Sequence, residues 1–115
     1  MNNPQVGTSG EVTACDYLKK NNYKIFQTNY KNKIGEIDII CFDKKEGELV
    51  FIEVKSRSSL NYGLPSEAVN FKKQNKIKNT ASFYLLSNKK YECKIRFDVI
   101  EILNGEILNH IKYAF

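Results

Sequence analysis

Gly35-Glu36-Ile37-Asp38-Ile39-Ile40 and Phe51-Ile52-Glu53-Val54-Lys55 are the stretch on which the fold turns. They lie in two strongly apolar, β-branched runs, Ile34 to Phe42 and Leu49 to Lys55. The connection between the runs, Asp43-Lys44-Lys45-Glu46-Gly47-Glu48, is polar and contains a glycine, so the pair reads as a β-hairpin.

Outward from the hairpin the chain divides into helices and strands. On the N-terminal side, Thr8-Ser9-Gly10-Glu11 fits a capping box with Thr8 as N-cap and Glu11 at the third position. Val12, Cys15 and Leu18 follow at helical spacing, which predicts an amphipathic helix over about 9 to 20, stopped by Asn21-Asn22. Tyr23 to Tyr30 reads as a weakly alternating strand. On the C-terminal side, Ser56 to Leu64 is polar and reads as a flexible loop. Pro65 suits the first position of a helix running to about Leu86, with Val69, Ile77, Ala81, Tyr84 and Leu85 as its apolar stripe and a break near Asn70. Lys94 to Leu103 and Ile107 to Tyr113 alternate around Asn104-Gly105, a strong short hairpin signal. The order of helix, three strands, helix and two strands predicts an α/β fold, a mixed sheet flanked by helices.

Composition bounds the function. With 115 residues, a single domain spanning 1–115 is expected. Hydrophobic residues make up 42% and aromatics 12%, enough for a core, which excludes a disordered chain. No apolar run approaches the roughly 18 to 20 residues of a membrane span, and Met1-Asn2-Asn3-Pro4-Gln5 has no leader pattern, so a cytoplasmic protein with no membrane partner is expected. The 18 Lys plus Arg against 13 Asp plus Glu leave a charge of +5, which admits nucleic acid or another polyanion as partner. Cys15, Cys41 and Cys93 are odd in number and far apart, unlike a disulfide framework. The single histidine, His110, excludes a His-rich zinc site, and the phosphate-loop, dinucleotide and nucleophile-elbow motifs are all missing. Any chemistry therefore rests on carboxylates and lysines.

The hairpin supplies both. A Glu-x-Lys triplet is weak alone, since Asp43-Lys44-Lys45 and Glu92-Cys93-Lys94 give equivalents. Glu53-Val54-Lys55 differs because it ends an apolar run, where an unpaired charge is costly. Glu53 and Lys55 share a strand face. If Asp43 pairs with Glu48, Asp38 falls opposite Glu53 and Glu36 opposite Lys55. Opposed β-carbons lie roughly 4.5 to 5.5 Å apart, so two carboxylates there want a shared proton or a bound cation. Such oxygen ligands suit Mg²⁺ or Mn²⁺. Lys55 would then position the attacking water or offset charge in the transition state. The competing reading is a partly exposed strand with solvated charges, and a one-residue slip in register would separate the groups.

These residues resemble the bacterial YraN family, small endonuclease-like proteins of the PD-(D/E)XK superfamily that are similar to archaeal Holliday-junction resolvases. Gly10-Glu11, Ala14, Tyr17-Leu18, Pro65, Lys73, Tyr84-Leu85, Arg96-Phe97-Asp98-Val99 and Ala114-Phe115 extend the resemblance over nearly the whole chain. It implies a restriction-endonuclease-like core of order αβββαβ. It places Asp38, Glu53 and Lys55 at catalytic positions, with Asp38, Glu53, the Val54 carbonyl and Glu11 around a Mg²⁺ or Mn²⁺ ion. Glu11 remains equally a capping residue. Gln74 has Lys78 where the RecB-like motif needs tyrosine, so it receives no role.

The expected function is a divalent-metal-dependent endonuclease on DNA, branched or junction DNA included. The alternative is a non-catalytic nucleic-acid-binding or adaptor domain with the same fold. Arg57, Lys72, Lys73 and Lys76 are the candidate phosphate contacts, Lys73 being the one that matches a family position. The competing readings are a solvated helix face for the lysines and a structural ion pair for Arg57. Arg96 and Asp98 share a strand face and are expected to pair with each other. Symmetric cutting of a junction would require a homodimer.

Overall fold

The chain forms α1 (Ser9–Lys20), β1 (Tyr23–Lys31), β2 (Glu36–Asp43), β3 (Glu48–Arg57), α2 (Phe71–Ser87), β4 (Lys94–Leu103) and β5 (Glu106–Ile111). This computed structural model describes residues 9–57, 70–88 and 92–115. The expectations for Thr8, Pro65 and Val69 fall outside the described residues. One five-stranded sheet has the order β1-β2-β3-β4-β5. Every neighbouring pair is antiparallel except β3 and β4, which are parallel with α2 between them in sequence. The elements from α1 to β4 follow the αβββαβ order of the restriction-endonuclease-like core, with β5 added by a hairpin.

Local chemistry fixes both hairpins. In the β2–β3 turn, Asp43 Oδ1 accepts hydrogen bonds from the Lys45 and Glu46 N–H groups at 3.0 and 3.1 Å, and Gly47 takes φ +70°. In the β4–β5 turn, Asn104 and Gly105 both adopt positive φ, the twist that two-residue hairpins need.

Each helix covers one face of the sheet. Ala14 and Leu18 of α1 pack with Ile39, Cys41, Val50 and Ile52. Ile77, Ala81 and Tyr84 of α2 pack with Ile40, Leu49 and Phe51 on the other face. Leu49 to Ile52 are buried on both sides, as expected of a central strand.

Two expectations change. The buried stripe of α1 is Gly10, Ala14 and Leu18, whereas Val12 is exposed. Small residues won because α1 presses on β3: a β-carbon at Gly10 would lie 3.0 Å from Ser56 Oγ. The break expected near Asn70 is present: Asn70 is extended at φ −80°, ψ 175°, its side chain accepts a hydrogen bond from Lys73 N, and α2 begins at Phe71. Ser56 and Arg57 belong to β3 because they pair with Ile102 and Leu103 of β4.

The α1 face also holds a buried ionic network. Arg96 donates from Nε to Asp98 at 2.9 Å, and from Nη1 to Asp43 at 2.9 Å and Glu48 at 2.7 Å. Its Nη2 donates to Tyr23 Oη at 2.8 Å. His110 bridges Asp98, 2.7 Å from Nε2, and Tyr17, 2.8 Å from Nδ1. The expected Arg96–Asp98 pair is present, within a larger set that the strand pattern did not reveal.

Candidate active site

The β2–β3 ladder runs from Asp43↔Glu48 to Ile39↔Ile52. Beyond that point β2 stays with β1, through Ile37↔Tyr30 and Glu36↔Lys31, and β3 stays with β4, from Glu53↔Val99 onward. The two central strands part at residues 38 and 53. Asp38 bridges the gap by accepting a hydrogen bond from Val54 N at 2.8 Å through Oδ2.

Asp38 and Glu53 meet there, as the inferred register requires, and their side chains are hydrogen-bonded. Glu53 is only 9% exposed. Burial, then the hydrogen bond and the charge of Asp38, push the Glu53 carboxyl up to about 8, against the pull of Lys73 and Lys55. The pair thus holds a proton near neutrality. Burial, then the Lys73 ammonium close beside it, pull Lys55 below the usual lysine range, with Glu53 and Asp38 opposing. Two acids and two lysines therefore form one interacting group.

A cleft of about 400 Å³ opens beside Glu53, lined by Lys31, Asn32, Gly35, Lys73 and Lys76 among others. Asn32 builds its wall. Its Oδ1 accepts from Ile34 N at 2.8 Å, and its Nδ2 donates to Thr80 O at 3.2 Å, tying the β1–β2 turn to α2. Gly35 permits that contact, because an added β-carbon would sit 2.8 Å from Thr80 Oγ1. The sequence analysis did not single out Lys31 or Asn32. The signal available was the polar Asn32-Lys33 step between two apolar strands.

Other candidates are placed differently. Glu36 does not face Lys55, because the strands have already parted; its carboxylate is 3.7 Å from Lys31 Nζ across the β1–β2 pair. Glu11 sits on α1 with Oε1 buried. Among the described residues no three His, Cys, Asp or Glu side chains are grouped to hold a metal, so Glu11 is not brought to Asp38 and Glu53. Lys73 and Lys76 line the cleft, while Lys72 is exposed outside its lining and Lys78 lies 5.9 Å from the Phe115 ring centre. Arg57 is half-buried at the end of β3, where its carbonyl accepts from Asn104 N at 2.9 Å.

Comparison with known proteins follows from this geometry. The family model described as "Uncharacterised protein family UPF0102" matches residues 10–102. The chain belongs to the UPF0102 family. This is the family that the sequence resemblance named YraN. A UPF0102 protein of Clostridioides difficile (strain 630) is 49% identical over 116 residues, covering all of both chains. A UPF0102 protein of Caldanaerobacter subterraneus subsp. tengcongensis is 49% identical over 121 residues, covering 100% of this chain and 98% of its own. Among solved structures, a chain in "Structure of EndoMS-dsDNA2 complex" superposes with a TM-score of 0.48 at 13% identity, over 92% of this chain and 41% of that one. No helix among the described residues is long and apolar enough to cross a membrane.

Proposed function

We propose that this UPF0102 protein is a divalent-metal-dependent endonuclease that hydrolyses DNA phosphodiester bonds, with branched or junction DNA the first substrate class to test. The observation that carries the reading is the Asp38–Glu53 pair, half-buried Asp38 against buried Glu53, hydrogen-bonded at the split in the sheet and flanked by Lys55 and Lys73. Two acids that share a proton in spite of two neighbouring lysines are under strong mutual repulsion, and their hard oxygens suit a small dication. A structural role alone would not require acids there. A binder of polyanions gains nothing from carboxylates facing its ligand.

Asp38, Glu53 and the Val54 carbonyl would hold Mg²⁺ or Mn²⁺, which supplies Lewis acidity toward a phosphoryl oxygen and lowers the pKa of bound water. The chain's own groups do the rest. The Val54 N–H fixes the Asp38 carboxylate. Lys55 orients the attacking water and offsets charge on the transition state. Lys73 and Lys76 meet the phosphates of the strand in the cleft, and Arg57 and Lys72, outside its lining, would add phosphate contacts beyond it. Glu11 contributes from α1 only through intervening water. A single copy cuts one strand, so paired cuts in a junction would need a homodimer. The expected location is the cytoplasm.

Linear, single-stranded and four-way-junction DNA, each incubated with Mg²⁺ or Mn²⁺, test the reading. Cleavage by the wild type should disappear in Asp38→Asn and Lys55→Ala with circular dichroism and melting preserved. Clean, folded protein that cuts none of these substrates with either metal would sink it.

A further inference from the structure

At the other end of the sheet, and on the opposite face, lies a second concavity of about 230 Å³. It is lined by Tyr17, Lys20, Asn21, Asn22, Lys45 and Lys112, with Tyr23 and Asp43 at its base. The three lysines come from the end of α1, the β2–β3 turn and the segment after β5, so the fold gathers charges that are remote in sequence. None of the three takes part in an ion pair among the described residues. The single carboxylate at the base, Asp43, is already engaged by Arg96 and by two turn N–H groups. Tyr17 Oη is hydrogen-bonded to His110. Asn21 Nδ2 donates to Tyr17 O at 2.7 Å, so what faces a ligand is chiefly the positive charge of the three lysines.

We infer that this pocket is a phosphate site, taking a phosphate group through Lys20, Lys45 and Lys112 with Asn21 and Asn22 at its rim. Three ammonium groups around one hollow repel one another; the acids of the Arg96 network beneath offset part of that, and none of them forms an ion pair with the three lysines, which leaves the ammonium groups available to an anion. The volume admits a phosphate with its first waters but not a nucleobase stacked on an aromatic ring, since Tyr17 and Tyr23 are committed to His110 and Arg96. The pocket does not serve the acid pair. Glu48, across from Asp43, and Glu53 are five residues apart on β3, about 17 Å at roughly 3.3 Å per residue. The Arg96 network lies on the α1 face, whereas Lys73 and Lys76 lie with α2 on the other. A phosphate bound here therefore belongs to a free anion or to a nucleic-acid segment separate from the one in the cleft. The inference does not depend on catalysis.

Heteronuclear NMR of the metal-free full chain, titrated in low-salt Tris chloride, tests it with two probes. With inorganic phosphate, saturable amide shifts are expected at Lys20, Asn21, Asn22, Lys45 and Lys112. These should vanish in the Lys20→Gln/Lys45→Gln/Lys112→Gln variant and persist in a charge-matched control carrying Lys19→Gln, Lys33→Gln and Lys94→Gln. With a short DNA oligonucleotide, shifts at the same amides and a salt slope shallower by about one in the triple variant identify a backbone phosphate as the source. Shifts with inorganic phosphate alone identify a free anion. Absence of saturable shifts there with both probes, or shifts that survive the triple substitution, would overturn the assignment whatever the outcome at the acid pair.

Discussion

Replacing Glu53 by glutamine should make the metal-free protein more stable at alkaline pH while leaving it nearly unchanged at pH 5. The Glu53 carboxyl, ordinarily near 4.5, is pushed up to about 8 by burial first and then by Asp38. Between those values the folded protein keeps a proton that the unfolded chain releases, so stability falls as pH rises through the interval. At about 1.36 kcal/mol per pH unit, the upper bound of the loss is about 5 kcal/mol, and relaxation of the pair brings the expected value to about 2–5 kcal/mol. A glutamine amide can donate to Asp38 as the protonated acid does, but it cannot ionise. Urea unfolding of wild type and Glu53→Gln from pH 5 to 9, in buffers stripped of divalent metal, isolates the effect, because every other titrating group is common to both proteins. The difference in unfolding free energy should open in favour of the variant from about pH 5 upward and level off near pH 9. A difference that stays constant to within about 0.5 kcal/mol across that range would refute the coupled acid pair.

Other expectations follow from the same contacts. Arg96→Met should cost about 3–5 kcal/mol in urea unfolding, because it strands the buried acids Asp43, Glu48 and Asp98; a loss under 1 kcal/mol would show the network to be incidental. Asp43 resists ionisation through burial, but Arg96 and the turn N–H groups outweigh that; Tyr113 and Arg96 likewise hold Glu48 low. Stability from these two should therefore be present above the usual carboxylate range and be lost as pH falls through their lowered values, a dependence that Arg96→Met flattens. Gly35→Ala should cost about 1–3 kcal/mol through the clash with Thr80 Oγ1, and adding Thr80→Ala should recover part of it in thermal melts.

The sequence was most readable where local chemistry decides the outcome. The expected span of the first helix coincides with Ser9–Lys20, and Asn104-Gly105 forms its hairpin, because caps and left-handed turn residues act within a few positions. The hairpin register also held as far as Ile39 and Ile52, where both faces are buried and a slip would expose isoleucine. Contacts that depend on the path of the sheet were less readable. Extending that register by three residues put Glu36 opposite Lys55, but β2 follows β1 there and Glu36 meets Lys31 instead. Nothing in the alternation of β4 signals that Arg96 will meet Asp43, which is 53 residues away. Gly10 outranked Val12 for the same reason, since how closely a helix approaches a sheet is a tertiary property.

The split between β2 and β3 explains why acids are tolerated in so apolar a pair of strands. An intact ladder would pair Asp38 with Glu53 side by side, with opposed like charges and no backbone donor to spare. Parting the strands frees Val54 N–H from the ladder, and Asp38 takes it. Glu53 answers the remaining repulsion by holding a proton, and Lys55 and Lys73 close over the pair. The arrangement satisfies its polar groups only while Glu53 stays neutral. Above pH 8 the repulsion returns unless a cation replaces the proton. Under the proposed function, a dication taking the place of that proton beside two lysines would turn the site's charge toward a phosphate, so acids at the edge of a lysine-lined cleft would not repel a polyanion.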